Sequence, residues 1–251
     1  MQIEPIPAFE DNYIWALRQD GRIAFVDPGE ARPVLRFLER SGERLAAILV
    51  THRHGDHIGG IAELVARHPV PVYGPALEAA EVVTKPLRDG DRVSVLGCDF
   101  EVLHLPGHTR GHVAYYRPGS LFCGDVLFGA GCGRVFEGTM EEMHASLARI
   151  SRLPPETRIY CAHEYTQSCL RFAKAVEPDN AAIDARIAFV AAQRAAGQPT
   201  VPSTLAEELA TNPFLRWHSP GVVDAATRWL GHPPANDAKT FAAIRLWRDS
   251  L

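Results

Sequence analysis

No apolar run in the 251-residue chain approaches the roughly 20 residues that a membrane helix requires, so a helical membrane span is excluded. The N-terminus, Met1-Gln2-Ile3-Glu4-Pro5, has neither a basic start nor an apolar stretch, and no secretory signal is expected there. Basic residues are not in excess. Lys and Arg number 26 against 30 Asp and Glu, a formal charge of −4 with histidine neutral, which argues against a nucleic-acid binder. Cysteine is scarce. Cys98, Cys123, Cys132, Cys161 and Cys169 are odd in number and show no CxxC spacing, so they read as reduced thiols of a cytoplasmic protein. Internal repeats and low-complexity tracts are also missing. With 46% hydrophobic and 22% charged residues the chain is not disordered, and its length supports a sizeable core. Histidine is what the chain has in plenty: there are eleven, and five of them fall into two short clusters, His52-His54-His57 and His108-His112.

The first half reads as short strands with occasional helices. Asn12–Arg18 and Arg22–Asp27 are β-type runs around Asp20-Gly21, a hairpin signal. Ala31–Arg40 and Ile61–Arg67 have helical spacing, and Leu45–Val50 is a continuous apolar run expected as a strand buried on both faces. Further strands are expected at Val70–Tyr73, Arg92–Val95, Phe100–Leu105, His112–Tyr116, Leu121–Cys123 and Arg158–Cys161. Met140–Leu153 reads as a helix, with Thr139 as N-cap and Glu142 at the capping-box position. Beyond about Glu164 alanine-rich helical segments take over: Tyr165–Val176, Ala181–Ala196, Thr204–Leu209, Val222–Leu230 and Asp237–Arg248. The expectation is an α/β domain over residues 1–165 and a helical domain over 166–251.

The strongest chemical signal is Thr51-His52-Arg53-His54-Gly55-Asp56-His57, directly after the buried strand. Three imidazoles and a carboxylate within six residues suit divalent ions of borderline softness. His52 and His54 can turn one way and Asp56 and His57 another, so two metals fit the run better than one. A surface loop would have to collect four ligand-type residues by chance. His108 follows a strand, Asp125 ends another and His163 ends a third, and strand ends converge at one sheet edge.

In order and rough spacing, the HxHxDH run, the Gly107-His108-Thr109-Arg110-Gly111-His112 run, the strand-end Asp125 and the strand-end His163 resemble the metallo-β-lactamase superfamily. The resemblance implies an α/β fold, a four-layer αββα sandwich, here with a C-terminal helical domain. It implies that His52, His54 and His108 hold one metal, that Asp56, His57 and His163 hold the second, and that Asp125 bridges them. His112 is left to support the loop. Two divalent cations against Asp56 and Asp125 leave a residual of about +2, which favours a metal-bound hydroxide formed from a water whose pKa falls toward about 7. Asp56 and Asp125 are thus expected as catalytic residues. Zinc is the first expectation, with iron or manganese as alternatives.

Other stretches narrow the resemblance. Val26-Asp27-Pro28-Gly29, the run Gly131-Cys132-Gly133-Arg134-Val135-Phe136-Glu137-Gly138, His163-Glu164-Tyr165-Thr166, Asn212-Pro213-Phe214 and the C-terminal Arg245-Leu246-Trp247-Arg248-Asp249 resemble hydroxyacylglutathione hydrolases (glyoxalase II) nearly end to end. That family hydrolyses S-D-lactoylglutathione to glutathione and D-lactate, the second step of methylglyoxal detoxification. The resemblance places Arg134, Phe136, Tyr165, Arg245 and Arg248 at the glutathione moiety. Arg134, Phe136 and Arg248 stand where the family usually has Lys, Tyr and Lys. Both arginines keep the charge and can grip a carboxylate bidentately. A thiolate leaves without a dedicated general acid, its pKa being about 8.5. The expectation is a monomeric cytoplasmic enzyme with a small-molecule partner, no nucleic acid and no membrane. The alternatives are another hydrolase on the same fold or a glutathione-persulfide dioxygenase.

Overall fold

The computed structural model describes residues 1–78 and 81–251, which form two compact units. The first holds residues 1–104 and 110–124, and the second 105–109 and 125–251.

The first unit opens with β1 (Gln2–Ala8), β2 (Asn12–Gln19) and β3 (Arg22–Val26), an antiparallel set. Asp20 and Gly21 both have positive φ, 51° and 70°, the backbone of the tight hairpin their sequence predicts. After α1 (Ala31–Ser41), β4 (Arg44–Leu49) pairs parallel with β3. The apolar faces of α1 and of the sheet meet in one core that includes Phe25, Val34, Ile48 and Leu64. Next come α2 (Gly55–Ile58), α3 (Ile61–Arg67), β5 (Val72–Pro75) and β6 (Lys85–Leu87). They complete a six-stranded mixed sheet in the order β1-β2-β3-β4-β5-β6. Four antiparallel strands follow, β7 (Arg92–Val95), β8 (Cys98–His104), β9 (Val113–Arg117) and β10 (Ser120–Gly124).

The second unit begins with the short loop 105–109 and continues from Asp125. β11 (Leu127–Phe128) and β12 (Gly131–Cys132) make a two-residue ladder. α4 (Met140–Ile150) starts at the capping box the sequence predicts, Thr139 accepting from the Glu142 amide and Glu142 accepting from the Thr139 amide. Ser146 on α4 donates to the Pro106 carbonyl at 2.7 Å. Gly107 lies so close to Met143 that a Cβ there would sit 2.7 Å from the Met143 Cβ. β13 (Arg158–Cys161) pairs with β14 (Ser203–Thr204), and α5 (Thr166–Val176), α6 (Ala181–Ala195), α7 (Leu205–Thr211), α8 (Pro220–Leu230) and α9 (Asp237–Asp249) build the helical C-terminal region. Phe172, Phe214 and Phe241 form an aromatic spine in it, with ring centroids 5.9 and 6.0 Å apart. None of the described helices is long and apolar enough to cross a membrane.

Candidate metal centre and adjoining cavity

Strand β4 ends in the interior at Leu49, and the ligand run starts directly after the buried Val50. The carboxyl end of a parallel strand is where open α/β sheets present ligands. His52 and His54 lie together, Nε2 of the first 3.0 Å from Nδ1 of the second. The single turn of α2 carries Asp56 and His57, and His57 Nε2 lies 3.5 Å from Asp56 Oδ2.

These side chains are held from behind. Asp27, at φ 53° beyond β3, accepts from the Thr51 amide and hydroxyl, each at 2.7 Å, and from His57 Nδ1 at 3.0 Å. With its Nδ1 proton committed to a carboxylate, His57 turns Nε2, bearing a lone pair, toward Asp56. Asn12 Nδ2 donates to Asp56 Oδ2 at 3.0 Å, and the His112 ring stacks on His52 with centroids 4.8 Å apart. Gly29 explains the Pro28-Gly29 pair: a Cβ there would lie 1.8 Å from the Asp56 carbonyl oxygen.

The second unit presents His108, Asp125 and His163. His108 Nδ1 bonds the Arg134 carbonyl at 2.9 Å, which fixes the tautomer with its lone pair on Nε2. That Nε2 lies 3.5 Å from Asp125 Oδ2, and His163 Nε2 lies 3.4 Å from Asp125 Oδ1. One carboxylate therefore meets two imidazoles on different oxygens. Gly133 makes room for this, since a Cβ on it would fall 1.9 Å from the Asp125 carbonyl oxygen. His163 stacks on Tyr165 at 4.7 Å and 6°, with Phe128 edge-on to both rings.

The spacings test the fit to an ion. Two ligands each about 2.0–2.1 Å from a tetrahedral ion are separated by about 3.4 Å, longer than the usual ~2.7–3.2 Å hydrogen bond. The three nitrogen–carboxylate distances of 3.4–3.5 Å agree with that separation. All seven side chains belong to His/Asp groups able to hold a metal ion. Neutral imidazoles and carboxylates, with no thiol among them, are a donor set for a divalent cation.

A cavity of about 420 Å³ lies in the second unit, with His108 and Asp125 in its wall. Arg134, Phe136, Tyr165, Arg245 and Arg248 all line it. Arg245 is buried. Its Nη1 donates to the Cys132 carbonyl at 2.9 Å, its Nη2 to Asp249 at 2.8 Å, and its guanidinium lies 5.0 Å from the Phe214 ring centre. Arg248 lies over Phe172 at 5.7 Å. Arg134 and Phe136 are exposed, Phe136 edge-on to His108 at 5.3 Å. The Cys132 thiol in the same wall is pushed up to about 11 by burial, against the lowering effect of Arg245. It stays protonated at neutral pH and is no nucleophile. Phe128 and Phe172 also line the cavity and escape a reading based on charged motifs. Asp249 escapes it as a partner of Arg245, although it falls inside the C-terminal motif.

Comparison with known proteins bears on the whole chain. Residues 9–163 match the family model of the metallo-beta-lactamase superfamily, and residues 164–251 match that of the hydroxyacylglutathione hydrolase C-terminus. The chain is 55% identical over 264 residues to the hydroxyacylglutathione hydrolase of Dechloromonas aromatica (strain RCB). It is 51% identical over 254 residues to that of Pseudomonas fluorescens (strain SBW25), and in both comparisons all of each chain is covered. Among solved structures, ETHE1 from Myxococcus xanthus superposes with a TM-score of 0.67 at 24% identity, over 86% of this chain and 84% of that one. TTHA1623 in a di-iron-bound form superposes with a TM-score of 0.57 at 33% identity, over 64% of this chain and 91% of that one. The expected α/β metallo-β-lactamase fold with a helical C-terminal region is the fold of this protein. The chain belongs to the hydroxyacylglutathione hydrolase family of the metallo-β-lactamase superfamily.

Proposed function

We propose that this protein hydrolyses the thioester of S-D-lactoylglutathione, a 2-hydroxyacylglutathione, to glutathione and D-lactate. The observation that carries the reading is one cavity lined both by two ligand-type side chains, His108 and Asp125, and by three arginines. A reacting carbonyl and an anionic peptide with two carboxylates need those two features in one place.

In this reading His52, His54 and His108 hold one divalent ion, Asp56, His57 and His163 a second, and Asp125 both. Zinc is the first choice and iron or manganese the alternatives. A count of two is supported by the ligand number and by the di-iron form of a 33%-identical structure. Such ions supply Lewis acidity and lower the pKa of water from 15.7 toward about 7. Asp56 and Asp125 bring the negative charge that fixes the cations, and they are the catalytic carboxylates of the proposal. Asp27 and the Arg134 carbonyl keep His57 and His108 in the tautomer that offers Nε2. Arg134 and Arg248 bind the peptide carboxylates, Arg245 supports the wall they stand on, and Tyr165 and Phe136 flank the peptide. The thiolate leaves unaided by a proton donor, the pKa of a free thiol being about 8.5.

The functional division proposed is a metal-binding catalytic part over residues 1–165 and a glutathione-binding part over 166–251. Free cysteines among the described residues, with no disulfide, fit a monomer in the reducing cytoplasm acting on a small molecule, without nucleic acid or membrane.

Steady-state hydrolysis of S-D-lactoylglutathione, with metal analysis of the same sample, tests this. Turnover with about two divalent ions per chain is expected. Faster hydrolysis of a lactone or β-lactam, or oxygen uptake with glutathione persulfide in place of hydrolysis, would overturn it.

A further inference from the structure

Three cations line the cavity, and two of them share one anion. Asp249 Oδ1 accepts from Arg245 Nη2 at 2.8 Å and lies 3.3 Å from Arg134 Nε. The two arginines differ in what they can offer a ligand. Arg245 is 5% exposed, and its Nη groups are occupied by the Cys132 carbonyl and by Asp249. Arg134 has 61% of its side chain exposed and meets Asp249 through Nε. Among the described residues its two Nη groups have no hydrogen-bond partner, and they belong to a guanidinium that lines the cavity.

We infer that Asp249 is a positioning residue, which ties the flexible Arg134 to the buried Arg245 and so presents the free fork of Arg134 to a carboxylate of the ligand. This rests on the reading of the cavity as a glutathione site. The geometry supports an orienting role over a stabilising one. An ion pair with an exposed arginine contributes little to folding. Holding a planar fork in the geometry a carboxylate requires removes ordering that binding would otherwise have to supply. Asp249 can do this because Arg245 lies four residues before it on α9, so both project from one face of that helix. Arg245 is in turn fixed by the β12 carbonyl. Position passes from the buried helix face to the exposed loop through a single carboxylate oxygen.

The test is a double-mutant cycle on the metal-loaded protein with Asp249→Asn and Arg134→Met. It is read by KM and kcat for S-D-lactoylglutathione and by the Kd of glutathione from calorimetry. Asp249→Asn is expected to raise KM and Kd about tenfold, with kcat changed by less than about threefold. In the Arg134→Met background the same change should add less than about twofold. An equal effect in both backgrounds would assign Asp249 to supporting Arg245 alone and overturn the proposal, as would an unchanged KM and Kd. Melting curves of the variants identify any loss of fold, and Asp249→Glu, which keeps the charge, should recover part of the loss. If the unmodified protein binds glutathione but hydrolyses no lactoylglutathione, the thioesterase reading fails, while the Asp249–Arg134 coupling is still decided by Kd. If it binds no glutathione, the positioning role falls too.

Discussion

A single carboxylate sets the chemistry of the first ligand run. All three groups that Asp27 meets are donors: the Thr51 amide, the Thr51 hydroxyl and His57 Nδ1. An ionised carboxylate can satisfy all three, and a carboxamide cannot. In Asp27→Asn the amide nitrogen would face one of these donors, and the imidazole would relieve the clash by moving its proton to Nε2. A protonated Nε2 cannot ligate. Asparagine tolerates the left-handed backbone that Asp27 adopts at φ 53°, so the backbone is not what the substitution disturbs. The expected outcome is a roughly 10- to 100-fold loss of metal affinity at the ion assigned to His57 in the proposal, with kcat/KM falling in step at limiting metal. Dialysis against a competing chelator followed by metal analysis measures it, and an Asp27→Asn protein with undiminished metal content would reject this account of the tautomer. Such second partners are hard to read from sequence. The seven ligand-type residues stand out by type and spacing, whereas the bond from Asp27 to His57 spans 30 positions and that from Arg245 to Cys132 spans 113.

At the scale of elements, legibility follows the strength of local pattern. Strand β4 is readable because its apolar run is continuous, and α4 because its capping box is complete. Strand β1 is not read from the sequence because Pro5 and Pro7 interrupt it, and β6 carries Pro86. These are the two edge strands of their sheet, where proline is tolerated and discourages further pairing. The expected strand Val70–Tyr73 is displaced to Val72–Pro75, its register set by the parallel partner β4. The ladders of β11, β12 and β14 are two residues long and exist through their partners, and α2 is too short to show a period. Element α4 also carries a titrating contact. His144 sits against Trp217 at 4.5 Å and Phe241 of α9 at 6.0 Å, and burial lowers its pKa while Asp237 partly opposes this. The folded state thus prefers neutral imidazole. Above the unfolded pKa of about 6.5 the contribution is complete, and as pH falls below that value the unfolded chain takes up the proton first and stability declines. His144→Phe should lose less melting temperature than the unmodified protein between pH 7.5 and 5.5, a difference that thermal melts under matched metal conditions record. Equal losses would show that His144 does not contribute.

At the scale of the whole chain, the candidate ligands are divided between the two compact units. His52, His54, Asp56 and His57 lie in one, and His108, Asp125 and His163 in the other. The unfolded chain, with these residues spread over more than a hundred positions, offers no comparable site. Ions that bind the native state alone stabilise it by RT ln(1 + [L]/Kd), about 2.7 kcal/mol at a hundredfold excess over Kd. For chains of this size a change of 1 kcal/mol moves Tm by roughly 2–4 °C, so loss of each such ion should lower Tm by about 5–11 °C. Hydrolysis should disappear with the same chelator dependence, and stoichiometric zinc should restore both together. The five cysteines lie outside the His/Asp groups, and burial raises the thiols of Cys132, Cys161 and Cys169, so recovery should not depend on thiol reduction. Loss of turnover with an unchanged Tm would show that the ions serve catalysis without stabilising the fold, and would overturn this account of their effect on stability.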